Sequence, residues 1–105
     1  MISRIKNGTI LTLNGTIIKE NYELNNENKG FVFVMNLEEP IVCAFEDEML
    51  FYHGEEKYIE SVQVNLPSGS LENYVGQNIT ITGKVMFAHT GHHRRDIVLT
   101  DCFLQ

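Results

Sequence analysis

Residues 78–88 read Asn-Ile-Thr-Ile-Thr-Gly-Lys-Val-Met-Phe-Ala, which is the clearest strand pattern in the chain. Polar and apolar side chains alternate along it, and the apolar residues that share one face are Ile79, Ile81, Val85 and Phe87. A period of two residues is typical of a β-strand with one buried face. Gly83 interrupts the stretch near its middle, which predicts a bend or a bulge there.

The same period continues on both sides of this strand. A last strand is predicted at Ile97–Leu104, where Ile97, Leu99 and Phe103 share a face. Earlier strands are predicted at residues 9–18, 31–37, 41–45 and 58–66. The strands are short and evenly spaced, which is the pattern of an all-β domain.

Turn-forming residues predict the connections between these strands. We expect a polar loop at residues 21–30 and a turn at 38–40, the latter joining the second and third strands into a hairpin. Before the strand at 78–88, one short helical turn is predicted, with Ser70 as its N-cap and Gly76 as its end.

About six short strands, mid-strand glycines and one short helix together predict the fold class. We expect a single all-β domain over residues 1–105, built as a small OB-like antiparallel β-barrel. Gly15 in the first strand favours a barrel, because a bend there lets one strand serve two sheets. A β-sandwich is the alternative.

The composition is that of an ordinary globular domain, with 43% hydrophobic residues. No stretch approaches the roughly 18 apolar residues of a membrane span, and the N-terminus lacks the apolar core of a secretory signal. We therefore expect a cytoplasmic protein. No cofactor is expected. Cys43 and Cys102 are expected to be free, mostly buried thiols, since two cysteines do not make a disulfide scaffold.

The charge of the chain is negative and unevenly distributed. The formal net charge is −6, which disfavours direct binding of nucleic acid. Residues 38–60 hold eight acidic residues against Lys57 alone, a net charge of −7. Within this segment, residues 46–57 are expected to form an acidic connection that packs down in part through its apolar side chains. The molecule is therefore expected to be electrostatically polarised.

The last third of the chain resembles a known domain family. Residues 74–93 and the aliphatic step Ile97-Val98-Leu99 are similar to an uncharacterised bacterial family with an Ala-His-Thr-x-His-His turn before its final strand. The earlier step Pro40-Ile41-Val42-Cys43 resembles the Pro-Ile-Cys-Val step of that family. The resemblance implies an OB-like β-barrel and brings no reaction with it. Arg94-Arg95-Asp96 departs from the family pattern, in which another His, Thr and Pro often follow the histidines.

Three of the four histidines lie in the run 89–96, which reads His-Thr-Gly-His-His-Arg-Arg-Asp. One interpretation is a metal site with His89, His92 and His93 as ligands, completed by Asp96 or a cysteine. A second is a phosphodiester-cleaving site, in which one His is the base, another is the acid and an Arg holds the phosphate.

The interpretation we favour is that the run is the turn of the last hairpin. Gly91 would supply a positive φ, and Arg94 and Arg95 would pair with Asp96 or with the acidic segment. Two arginines put positive charge beside any bound cation, and no basic groove accompanies a catalytic set. The exposed His and Arg side chains remain available for contact with a partner.

These observations predict a binding protein rather than an enzyme. The size and charge resemble those of the immunity proteins of contact-dependent toxin systems, which implies a basic protein toxin, often a nuclease, as partner. The acidic segment would cover the toxin's active site by steering and charge complementarity, with aromatic anchors between the acid clusters. The residues predicted to bind the partner are Glu46, Asp47, Glu48, Phe51, Tyr52, His53, Glu55, Glu56, Glu60, Arg94 and Arg95. The alternative is a barrel that binds a metal or a small ligand through His89, His92 and His93.

Overall fold

A computed structural model describes residues 3–23, 29–47, 52–66, 71–87 and 95–104. These residues form six strands and one short 3-10 turn. The strands are β1 (Ser3–Ile5), β2 (Ile10–Glu23), β3 (Lys29–Asp47), β4 (Tyr52–Val64), β5 (Asn78–Phe87) and β6 (Ile97–Leu104). The prediction of a nearly all-β fold is confirmed.

The pairing of five strands returns on itself. β2 pairs with β3 and with β5, β5 pairs with β6, β6 pairs with β4, and β4 pairs again with β3. The β4–β6 pair is parallel, and β1 adds to β3 in a second parallel pair. The expectation of a purely antiparallel sheet is therefore wrong. The physical reason is topological, since a ring with an odd number of strands cannot reverse direction at every step.

Gly15 lies where β2 is shared between its two neighbours. It pairs with Leu37 of β3 on one side and with Ile79 of β5 on the other. A Cβ atom at Gly15 would lie 2.2 Å from the backbone oxygen of Asn36, so this approach of two backbones requires glycine. β2 therefore pairs with two neighbours within one sheet, and its pairings show no bulge at Gly15.

The structure joins residues 31–37 and 41–45 into one continuous strand, β3, so the predicted hairpin with a turn at 38–40 is wrong. Asn36 pairs with Ser61 and Ile41 pairs with Ile59, so residues 37–40 lie opposite a single β4 residue. Pro40 has no N–H to donate, and this interruption of the ladder accommodates it. The two glutamates before Pro40 therefore lie in a bulge of β3, and the chain does not reverse its direction there.

Three further boundaries differ from the sequence predictions. β1 was not predicted, because three residues are too few to show a period. β2 continues to Glu23 and β3 starts at Lys29, whereas a loop was expected over residues 21–30. Only residues 24–28 separate the two strands, and they lie outside the described part. An acidic connection was predicted at residues 46–57. The structure instead ends β3 at Asp47 and begins β4 at Tyr52, and residues 48–51 between them lie outside the described part.

The core lies inside the ring of strands. Its fully buried members include Ile17, Met35, Val62, Ile81 and Leu99, one or more from each ring strand. Three aromatic rings close one end: Phe45 stacks on Phe87 at 4.5 Å, and Tyr52 meets both edge-on at 5.3 and 5.2 Å. Cys43 and Cys102 are buried and free, as predicted.

A bulge in β6 reverses the face on which its last residues lie. Thr82 pairs with Phe103 but Lys84 pairs with Thr100, so β6 has one extra residue opposite Gly83. One extra residue exchanges the two faces of a strand beyond it. Phe103 is therefore 57% exposed, and its predicted place beside Ile97 and Leu99 is wrong. A bend or bulge was expected in β5 at Gly83; the irregularity is present there, but its extra residue belongs to β6 and causes this reversal.

The predicted helical turn before β5 is present as a 3-10 turn at Glu72–Tyr74. Gly76 follows it with a φ of +85°, which agrees with its predicted role as the end of the turn. Ser70, the predicted N-cap, lies outside the described residues. Along the described ranges, the structure contains no helix that combines the length and apolar character needed to cross a membrane.

Candidate functional site

The outer surface of the β3–β4 pair carries an aromatic residue between two carboxylates. Glu56, Tyr58 and Glu60 alternate with buried Ile59 along β4, so all three point away from the core. Val42 of β3 lies directly across from Tyr58. We call these four exposed residues, Val42, Glu56, Tyr58 and Glu60, the acidic hairpin face.

Tyr58 is the most exposed large hydrophobic side chain of this face. It is 64% exposed, and Val42 beside it is 36% exposed. The pair therefore offers a small apolar contact area, with a polar tip on the tyrosine and a glutamate on either side of it along β4. Tyrosine in such a setting is typical of the anchoring residues of protein interfaces.

Several other acidic residues in the described ranges are neutralised locally. Arg4 pairs with Glu46, Lys19 with Glu72, and Lys84 with Asp101. The Asn7 amide donates to the carboxylate of Asp47. Of the acids predicted to bind a partner, Glu46 and Asp47 are thus engaged with β1 and the turn that follows it, whereas Glu56 and Glu60 remain on the acidic hairpin face.

Glu55 and His53 are joined beside Gly54. The backbone N–H of His53 donates to the Glu55 carboxylate at 2.6 Å. Hydrogen bonds from the backbone of Glu55 and of His53 lower the pKa of the Glu55 carboxyl. The lowered pKa favours the charged form of Glu55, and the side chains of Glu55 and His53 are both exposed.

Tyr52 lies in a different environment from the one that the acid clusters around it suggested. Its ring is half-buried against Phe45 and Phe87 and helps to form the core. An exposed aromatic residue of β4 is instead Tyr58, which was not among the predicted partner-binding residues. Strand alternation was the available signal, because an apolar Ile59 between Tyr58 and Glu60 indicates that both of these neighbours point outward.

A depression opens where β4 and β6 separate. The two strands pair only at Gln63–Val98 and Val64–Leu99. The space before these pairs has a volume of about 380 Å³ and is lined by Tyr58, Ile59, Glu60, Ser61, Arg95 and Asp96. It therefore adjoins the acidic hairpin face and shares Tyr58 and Glu60 with it.

Arg95 at the edge of this depression is held by two strands. Its guanidinium donates to both carboxylate oxygens of Glu20 at 2.9 and 2.6 Å, and its Nε donates to Ser61 Oγ at 2.7 Å. We expected pairing with Asp96 or with the acidic segment; the ion pair is instead with Glu20 of β2. A bidentate pair of this kind holds the start of β6 in place. Its guanidinium is therefore already engaged and is less available to a partner.

Several predicted site residues fall outside the described part of the chain. These are Glu48, Phe51, His89, His92, His93 and Arg94. The metal, catalytic and turn interpretations of the histidine run therefore stay predictions. Among the residues that the structure describes, no group of three or more His, Cys, Asp or Glu side chains is placed to hold a metal ion.

Comparison with known proteins finds one similarity. A family model described as a domain of unknown function, DUF4431, matches residues 61–100, from the end of β4 to the middle of β6. No curated protein and no solved structure matches the chain. The chain is thus similar to this domain family over residues 61–100, a stretch that includes the histidine run and the two strands around it.

Proposed function

We propose that this protein is a non-enzymatic inhibitor that binds a basic protein toxin, of the nuclease class, through the acidic hairpin face. The observation that carries the proposal is the exposed Tyr58 between Glu56 and Glu60. An aromatic anchor between two carboxylates fits a partner whose surface presents lysine and arginine around an apolar spot.

The distribution of charge supports a protein partner over a nucleic acid. The chain carries a net charge of −6, and residues 38–60 alone carry −7, because this segment contains eight acidic residues and one lysine. Such a surface repels phosphate and attracts the basic cleft with which a nuclease binds its substrate. The inhibitor would block that cleft by occupying it and by matching its charge. No side chain of the inhibitor would take part in a chemical reaction.

The proposal includes a finer description of the fold. A closed ring of five strands with a short helical turn between its third and fourth members fits an OB-like barrel. In OB-folds the second and third barrel strands form the usual binding surface. In this chain those strands are β3 and β4, which carry the acidic hairpin face.

The test is co-production of this chain with each basic nuclease domain encoded by a gene that neighbours its own. We expect rescue of growth and a one-to-one complex whose affinity falls as salt increases. The variant Glu56→Gln/Glu60→Gln should weaken the complex at least about tenfold, since it removes two charges from the contact. The matched control Glu72→Gln/Asp101→Asn removes the same charge from exposed sites elsewhere and should change affinity by less than about twofold.

Two results would contradict the proposal. One is a toxin domain that the wild-type protein neither binds nor neutralises. The other is equal weakening by both double variants, which would mean that total charge matters and that the acidic hairpin face does not. Circular dichroism of each variant would establish that the fold is retained.

A further inference from the structure

β4 has a long edge that the described strands leave uncovered. Along one edge it pairs with β3 through most of its length, from Tyr52 to Val64. Along the other edge β6 pairs with it only at Gln63 and Val64. In the described ranges, no strand pairs with that second edge before Gln63. An uncovered strand edge presents a row of backbone donors and acceptors that can pair with another chain.

The usable part of this edge is residues 56–61. On one side of it, the Glu55 carboxylate already accepts the backbone N–H of His53 at 2.6 Å. On the other side, Ser61 Oγ accepts from Arg95, and β6 takes over two residues later. Six residues are about the length of an ordinary strand pairing. The depression of about 380 Å³ beside Tyr58, Ile59, Glu60 and Ser61 leaves room for the side chains of an added segment.

The charge along this edge selects the occupant. Glu56 and Glu60 lie within the section, and Asp96 lines the far side of the depression. Arg95 is neutralised by Glu20, which leaves Lys57 as the opposing charge of the section. An extended segment with regularly spaced lysine or arginine therefore fits, and an acidic segment does not.

We propose that residues 56–61 of β4 accept an extended basic segment of the partner protein as an added strand of the sheet. The inference rests on the proposed function and states how the partner is held. Main-chain hydrogen bonds supply the affinity, while Glu56 and Glu60 select basic side chains on the incoming strand. Tyr58 covers the apolar side chains between them.

Strand addition has a signature that a charged surface contact lacks. Successive residues of a strand direct their N–H groups to opposite edges, so every second residue faces the added strand. Binding must therefore protect alternate amides, either 56, 58 and 60 or 57, 59 and 61. A contact made only through side chains protects no alternating set.

The probe is the peptide acetyl-Lys-Val-Lys-Val-Lys-Val-Lys-amide, added to the full chain labelled with ¹⁵N. We expect alternate amides within 56–61 to exchange at least about tenfold more slowly in the complex. Two peptides with the same charge, N-methylated at all valine or at all lysine positions, remove one set of donors each. One of them should bind at least about tenfold more weakly, because it cannot pair with the β4 edge. The acidic peptide with glutamate for lysine should not bind.

Variants of the protein separate the edge from general charge. Glu56→Gln/Glu60→Gln should weaken binding of the basic peptide, and Glu72→Gln/Asp101→Asn should not. Failure of the peptide to bind, or equal binding of both N-methylated peptides with no alternating protection, overturns strand addition. The same exchange measurement on the toxin complex distinguishes the two proposals. A toxin that binds without alternating protection overturns this inference alone, whereas a toxin that does not bind overturns the proposed function.

Discussion

At the scale of single residues, this molecule depends on two glycines that let neighbouring groups approach closely. A Cβ at Gly15 would meet the backbone of β3, which no side-chain change can relieve. A Cβ at Gly83 would lie 2.7 Å from the Cys102 sulfur, which is a side-chain atom. We therefore expect alanine to have different consequences for stability at Gly15 and at Gly83.

Gly83→Ala should destabilise the protein by about 1–3 kcal/mol, because a methyl group is forced into a filled core. Cys102→Ala should recover part of that loss in the double variant, since it removes the sulfur that the new Cβ meets. Recovery is partial because Thr100 O and Leu99 Cβ also lie within 3.2 Å. Urea unfolding of the two single variants and the double variant gives the coupling, and strictly additive losses would contradict this account.

Burial raises the pKa of the Cys102 thiol to about 11. The unfolded chain has the ordinary value of 9.0, so between these two pH values the unfolded thiol loses its proton while the folded one keeps it. The contribution of Cys102 to stability is therefore complete below pH 9 and falls as pH rises towards 11. Unfolding of wild type and Cys102→Ala from pH 8 to 11 should show their difference in free energy moving against the wild type. A constant difference across this range would exclude the effect.

At the scale of the elements, the ring is closed by few contacts between β4 and β6, and one side-chain cluster reinforces that junction. Arg95 joins the start of β6 to Glu20 of β2 and to Ser61 of β4. The two charged side chains are 27% and 29% exposed, so the pair is partly shielded from solvent. Pairs of this bidentate kind exceed ordinary surface ion pairs in strength.

A double-mutant cycle measures this cluster. Arg95→Ala and Glu20→Ala should each destabilise the protein, with a coupling energy of about 1–2 kcal/mol between them. The coupling should shrink in 1 M salt, because partial exposure leaves the pair open to screening. Lys19→Ala with Glu72→Ala is the control, since that pair is more exposed and should couple by less than about 1 kcal/mol. Equal coupling in the two cycles would contradict a special role for Arg95.

At the scale of the whole molecule, stability comes from one core inside the ring, and membership of that core depends on the bulge in β6. Phe87 is fully buried, while Phe103 is 57% exposed. Both phenylalanines belong to paired strands and are apolar residues in an alternating pattern. Only the extra residue of β6 opposite Gly83 puts them in opposite environments.

Phe87→Ala should destabilise the protein by about 3–5 kcal/mol, since it empties the stack on Phe45 and the contact with Tyr52. Phe103→Ala is the matched control and should cost less than about 1 kcal/mol, as exposed substitutions usually do. Thermal and urea unfolding of the two variants make the comparison. Similar losses at both positions would mean that Phe103 lies in the core after all.

The fold was predictable from the sequence where local pattern is sufficient. Alternation placed β5 and β6, and a mid-strand glycine marked the bulge opposite Gly83. The surface charge was also predictable, because composition alone concentrates acid between residues 38 and 60. The candidate site was predictable only as a segment, since Glu56 and Glu60 were named while Tyr58 between them was not.

The sequence by itself determined the nearly all-β class of this protein, the position of its last two strands and its acidic polarity, because period and charge are properties of consecutive residues. Only the tertiary structure decided that β3 is continuous through Pro40, that Phe103 faces solvent and that Arg95 pairs with Glu20. These features depend on which strand lies alongside and in what register. Pairing joins residues far apart in the chain, such as Glu20 and Arg95, and no local pattern records it.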